Sequence, residues 1–166
     1  MLSYYGPKLR RLLWIAGAVV IADQITKAII VAKVPLHSAI SVIPGLFDIT
    51  HVLNPGGAFG FMANQSALVR QLLFVVLTLV AICAIFFFYL NTPATYRWFS
   101  TALALIFGGA VGNFIDRLRF GKVVDFLSFY IGPYQWPAFN VADSAISIGL
   151  TIFIFHVIFN KIPAKS

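Results

Sequence analysis

Glutamate is absent from this 166-residue chain, and the whole acidic complement is five aspartates: Asp23, Asp48, Asp116, Asp125 and Asp143. Without glutamate, the His-Glu-x-x-His helix of zinc proteases cannot be built. Cysteine occurs once, as Cys83, so an internal disulfide is excluded, and its place in an apolar run marks it as a packing residue. The three histidines, His37, His51 and His156, do not form a ligand cluster by spacing. His156 follows Asp143 by 13 residues, roughly 20 Å along a helix, too far for a general-base pair. No Gly-x-Ser-x-Gly elbow and no phosphate-cradling glycine loop is present. Internal repeats and low-complexity segments are also missing.

Charge is scarce as well. Only 10% of the residues are charged and 60% are hydrophobic, with a mean hydropathy of +0.92. Four apolar stretches, about Leu12–Ala32, Leu68–Leu90, Trp98–Ile115 and Val141–Phe159, are long enough or nearly so to cross a hydrocarbon core, which takes roughly 20 residues. The sequence therefore predicts a mainly α, polytopic membrane protein, one domain over residues 1–166. The net charge of +7 fits contact with anionic lipid headgroups better than nucleic-acid binding. Lys8-Leu-Arg-Arg11 before an apolar run imitates a signal peptide, but no small-x-small cleavage site follows, and an uncleaved first span is expected.

Four spans place both termini on one side. The ends of spans 1 and 3 and the starts of spans 2 and 4 then meet the other side, and all five aspartates gather there. Lysine and arginine divide six against six between the two sides. The cluster Lys8, Arg10 and Arg11 before span 1 favours cytoplasmic termini, because the first span usually dominates. A carboxylate near lipid is costly, so this acidic end is where function is sought.

The loop at about residues 33–67 carries Leu46–Leu53, with strand-forming residues, then the turn signal Asn54-Pro-Gly-Gly57. Ala58–Met62 is expected to return as a second strand of a small extracytoplasmic sheet. The stretch 117–139 is rich in aromatics and is expected to lie along the membrane interface. Ala104, Gly108 and Gly112 recur at four-residue spacing, which permits close helix approach.

Local pairing accounts for some of the acids. Asp23 and Lys27 are spaced for an intrahelical ion pair. Asp116 has Arg117 and Arg119 nearby, and a structural pair with them is favoured. Asp48 is expected to be solvated. Asp125 either pairs with Lys122 or does not, at even odds. Asp143 has no cation within four positions, and Asn140 three residues before it reads as a helix N-cap. What remains is carboxylate chemistry at a membrane surface, with Asn54, Asn113, Asn140 and Arg117 in support. Two carboxyls in close contact hold one proton between them, so one can activate water while the other donates to a carbonyl oxygen. A proton-coupled transporter using the aspartates as a relay is the alternative, and a non-enzymatic scaffold is a second. Clustering of the acids at one face speaks against a relay across the bilayer.

Five motifs in order complete the picture: Asp23-Gln-x-x-Lys27, Asn54-Pro-Gly-Gly-Ala-Phe59, Gly108-Gly-Ala-Val-Gly-Asn-Phe-Ile-Asp-Arg117, Val123-Val-Asp-Phe126 and Phe139-Asn-Val-Ala-Asp143. Together they resemble bacterial lipoprotein signal peptidase (signal peptidase II), and the resemblance runs from span 1 to span 4. It implies a four-span aspartic peptidase of the inner membrane, with cytoplasmic termini and an active site at the periplasmic face. Such an enzyme cuts diacylglyceryl-modified prolipoproteins just before the lipidated cysteine. The resemblance further implies Asp125 and Asp143 as catalytic residues, with Asp23, Asn54, Asn113, Arg117 and Asn140 lining the substrate site. Lys27, Gly56, Ala58, Phe59, Gly108 and Gly112 fall in the same motifs as supporting residues. No metal or cofactor is implied. Globomycin-type peptide antibiotics are the implied inhibitors, and a monomer is expected.

Overall fold

The computed structural model describes residues 2–56 and 65–159, with side chains from residue 6 onward. Four helices dominate: α1 (Leu2–Lys33), α2 (Ala67–Asn91), α3 (Arg97–Phe120) and α4 (Val141–Ile158). All four are long and apolar enough to cross a membrane. Each apolar run extends into a helix because lipid cannot hydrogen-bond the backbone, and a helix satisfies those groups within its own segment. The chain is a multi-pass membrane protein.

The central helix is α3, which packs against the other three. Small residues make this possible. A Cβ on Gly108 would lie 2.9 Å from the Ala16 Cα of α1, and one on Gly112 would lie 2.7 Å from Asp23 Oδ2. The stripe predicted from Ala104, Gly108 and Gly112 is therefore the α1 seam. A second close approach was not anticipated: Gly109 faces α4, where a Cβ would meet the Ala142 carbonyl oxygen at 2.4 Å. Helix α2 is the most lipid-like of the four, and among its described residues only Tyr89 is buried. Near its C-terminus, the Lys8 ammonium donates to the carbonyl oxygens of Leu90 and Thr92, and Tyr89 Oη donates back to the Lys8 carbonyl. A cation on the last carbonyls of a helix is favourable.

At the opposite end lies a four-stranded antiparallel sheet in the order β1 (Ala39–Ile43), β2 (Phe47–Asn54), β3 (Val123–Ile131) and β4 (Tyr134–Gln135). The small sheet was expected, but its partners differ. Strand β2 corresponds to the stretch 46–53, yet it pairs with β1 before it and β3 far after it. The expected return strand, Ala58–Met62, lies outside the described residues. The stretch 117–139 is drawn into the sheet for part of its length. Residues 117–120 continue α3, Gly121 ends that helix at φ 67°, and β3 follows. A glycine suits this left-handed end, where a side chain would be strained. Among the aromatic residues beyond Gly121, Tyr134 and Trp136 are the most exposed, while Phe126 is buried and Tyr130 and Phe139 are half-buried.

Candidate functional site

Each carboxyl at the sheet end of the bundle is positioned by a different element. Asp125 points from β3. Its partner in register is Val52, so Asn54, two residues further along β2, sits diagonally across on the same face. Asn54 Nδ2 donates to Asp125 Oδ2 at 2.9 Å, while its own Oδ1 accepts from the Gly56 N–H at 2.9 Å, an Asx turn. Gly56 has φ 90°, a backbone region that favours glycine.

Asp143 stands in the first turn of α4 and forms a capping box with Asn140. The Asn140 Oδ1 accepts from the Asp143 N–H at 2.9 Å, and Asp143 Oδ2 accepts from the Asn140 N–H at 3.2 Å. The expected N-cap is therefore present. Asn140 also reaches the other acid: its Nδ2 donates to Asp125 Oδ1 at 2.7 Å. Asn113 Nδ2 from α3 donates to Asp143 Oδ1 at 2.8 Å. Asp125 and Asp143, 18 positions apart in sequence, are thus brought to one asparagine. Among the described residues neither carboxyl is paired with a cation, and for Asp125 this answers the open question about Lys122: its side-chain partners are Asn54 and Asn140.

Behind this layer lies a buried ionic cluster. Lys27 is 2.8 Å from Asp23 Oδ2, as its spacing predicts, and 2.9 Å from Asp116 Oδ2. Its ammonium also donates to Asn113 Oδ1 at 3.0 Å, which links the cluster to the front layer. The pairing of Asp116 with Arg117 and Arg119 is overturned: Asp116 points into the bundle toward Lys27, and its Oδ2 accepts from the Val124 N–H at 3.1 Å. For Arg117 helical geometry explains this, since the residue at i+1 points to a different side of the helix; Arg119, three residues on, instead lies over the Phe120 ring at 4.8 Å. Asp23 Oδ1 accepts from the Ala142 N–H at 2.9 Å and so holds the start of α4. Gln24, quoted in the first motif but given no role there, donates from Nε2 to Asp116 Oδ1 at 3.0 Å and to the Gly112 carbonyl at 3.2 Å. Its place next to Asp23, facing a helix seam, was the available signal. Asp48 is also corrected: half-buried at the far end of β2, it accepts from Tyr130 Oη at 3.0 Å.

Arg117 remains at the edge of the site. Its Nη1 donates to the Asn113 carbonyl at 3.4 Å, and its charge acts on Asp143, Asp125 and Asp116. Ala58 and Phe59 lie outside the described residues. Burial pushes the Asp125 carboxyl up to about 7, and the Asp143 charge adds to the effect. The hydrogen bonds from Asn54 and Asn140 and the charge of Lys27 oppose it. Among the described residues no group of three or more metal-ligating side chains is gathered. The arrangement offers a protonatable carboxyl beside a second one, with amide donors around both and a guanidinium at the margin.

A family model for signal peptidase II matches residues 15–159. This chain belongs to the signal peptidase II family. Among curated relatives, the lipoprotein signal peptidase of Desulforapulum autotrophicum is 52% identical over 153 residues, covering 92% of this chain and 94% of that protein. The lipoprotein signal peptidase of Syntrophus aciditrophicus is 46% identical over 143 residues, covering 86% and 89%. A bacterial membrane enzyme solved by the in meso method at 2.3 Å superposes with a TM-score of 0.80 at 34% identity, covering 93% of each chain. Membership of the signal peptidase II family makes this chain a peptidase.

Proposed function

We propose that this chain is an aspartic endopeptidase of the bacterial inner membrane. It removes the signal peptide from diacylglyceryl-modified prolipoproteins, cutting just before the lipidated cysteine. The observation that carries this reading is the bridge through Asn140, which hydrogen-bonds both Asp125 and Asp143. Both termini face the cytoplasm and the carboxyls face the periplasm. The cluster Lys8, Arg10 and Arg11 before the first span supports that orientation.

In this reading one ionised carboxyl takes a proton from water as the water attacks the scissile carbonyl. The protonated carboxyl donates to the carbonyl oxygen. Collapse of the tetrahedral intermediate then passes a proton to the leaving amine and resets the pair. Asn54, Asn113 and Arg117 surround the carboxyls and can orient the substrate backbone. A diacylglyceryl chain on the cysteine would hold the scissile bond at headgroup depth, the level at which the sheet meets the helices. An apolar hollow of about 520 Å³ between β3 and β4, lined by rings including Phe129, Tyr134 and Trp136, could receive apolar parts of the precursor. Globomycin-type peptides would compete for the same site, and the working unit is one chain.

The test uses the purified protein in lipid nanodiscs, with a diacylglyceryl-modified precursor beside its unlipidated form. The lipidated precursor should be cut, and the Asp125→Asn and Asp143→Asn proteins should leave it intact while remaining folded. Near-normal turnover in either variant would refute the pair. Equal cleavage of the unlipidated form would refute the substrate assignment.

A further inference from the structure

Helix α2 contributes no side chain to the hydrogen-bonded network around the carboxyls. One of its residues nevertheless touches both limbs of that network. Phe74 is half-buried and faces the sheet end of α3. The Gly56 backbone lies so close to its ring that a Cβ there would fall 2.4 Å from Cδ2 and 2.6 Å from Cε2. The Arg117 guanidinium lies over the same ring, 5.9 Å from its centroid. From Gly56 the contacts lead through Asn54 to Asp125. From Arg117 they lead through Asn113 to Asp143.

The ring is itself well supported. One turn before it, Gln71 packs its amide against Gly121, at the end of α3. One turn after it, Thr78 Oγ1 donates to the Phe74 carbonyl at 2.6 Å. Aromatic side chains suit this use because they present a large rigid surface at little conformational cost, and their faces attract cations.

We propose that Phe74 is a positioning residue for the carboxyl pair, its ring holding the Asn54–Gly56 turn and Arg117 in place together. The inference rests on the reading of Asp125 and Asp143 as that pair. The three atoms nearest a Cβ on Gly56 all belong to this ring, so without it the turn loses its closest support and the Asn54 amide can leave Asp125. That amide bond favours the ionised carboxyl, so its loss makes Asp125 hold its proton more tightly. The charged groups acting on Asp125 are Lys27 from α1, Arg117 from α3 and Asp143 from α4. Of the two titratable residues on β2, His51 has its ring against the Val34 carbonyl oxygen and Asp48 accepts from Tyr130 Oη. Replacing Phe74 removes none of these charges, so a shift would report position.

The experiment titrates the Asp125 carboxyl by difference infrared spectroscopy in nanodiscs, using the band that disappears in Asp125→Asn. Phe74→Leu should raise the midpoint by about one pH unit, the size expected for one lost bond to a charged group. Phe74→Tyr should keep the wild-type midpoint. With the lipidated precursor, Phe74→Leu should lower kcat about tenfold and leave KM nearly unchanged, and Phe74→Tyr should restore kcat. A wild-type midpoint in Phe74→Leu would overturn the proposal, as would an equal shift in Phe74→Tyr. Should Phe74→Leu not fold, Phe74→Met serves with the same two outcomes. The infrared titration needs no turnover, so a wild-type protein that fails to cut the precursor defeats the functional reading while Phe74 is still decided.

Discussion

Asn140 Nδ2 donates to Asp125 Oδ1 at 2.7 Å, and the same residue caps the helix that carries Asp143. One side chain thereby ties a strand to a helix start. Asn140→Ala removes the cap and the bridge together. Loss of the cap alone costs about 1 kcal/mol, and turnover should fall at least about a hundredfold, the order seen when an oriented donor is deleted from an active site. Asn140→Asp is the sharper variant. It preserves a capping oxygen yet faces Asp125 with a second acid, so the helix should persist in circular dichroism while cleavage of the lipidated precursor is lost.

The proton affinity of Asp125 sets a second expectation. Its folded value, about 7, lies above that of an ordinary carboxyl at 3.8. The folded protein then holds a proton that the unfolded chain has released between those values. Stability contributed by this group is full below pH 3.8 and is lost as pH rises toward 7, after which it is constant. Asp125→Asn abolishes this slope. Thermal midpoints of the two proteins should therefore diverge in favour of the variant from about pH 4 to about pH 7, then run parallel. Parallel curves throughout would show that the carboxyl is not perturbed.

Lys27 offers a third test. Its ammonium is shared by Asp23 and Asp116, and all three groups are buried. Lys27→Met leaves two carboxylates facing each other without a counter-ion, which should cost about 3–5 kcal/mol. Adding Asp116→Asn should recover part of that loss, because only one unpaired charge then remains. Unfolding in detergent micelles, followed by circular dichroism, measures both. Additive losses in the double variant would contradict the shared ion pair.

Gly109 tests the helix seam. A Cβ at this position would meet the Ala142 carbonyl at 2.4 Å. Gly109→Ala must push α4 away and should destabilise by about 1–3 kcal/mol. Because Asn140 and Asp143 open α4, kcat should fall with it. Gly17→Ala is the control, since nothing lies within 4 Å of a Cβ there.

The helices were legible because lipid imposes a length and a composition that a sequence displays directly. Parity then located the acids at one end without coordinates. The Asp23–Lys27 pair and the Asn140 cap were legible because both are local, set by spacings of four and three. The partners of β2 were not. Strand β1 is exposed along its whole length, so it lacks the alternation that marks a half-buried strand, and β3 follows β2 only after two helices. Asp116 misled for a related reason: Arg117 beside it faces another side of the helix and Arg119 lies over the Phe120 ring, while its counter-ion, Lys27, is on another helix. Gln24 carried a polar side chain into a seam, yet nothing in its neighbourhood named Asp116 as its destination. The roles of Asp125 and Asp143 rest on the motif resemblance, with the asparagine contacts as physical support.

The bond from the Ala142 N–H to Asp23 joins the last helix to the first, 119 positions apart. A nascent chain delivers Asp23 and Lys27 to lipid when Asp116 and Ala142 have yet to be synthesised. During that interval only contacts within α1, the Asp23–Lys27 pair and the Gln24 amide on Asp23, offset their loss of water. The later partners arrive only with α3 and α4, and the carboxyl pair is complete only when α4 docks. Under the proposed mechanism such a chain is held in the bilayer before it can cut.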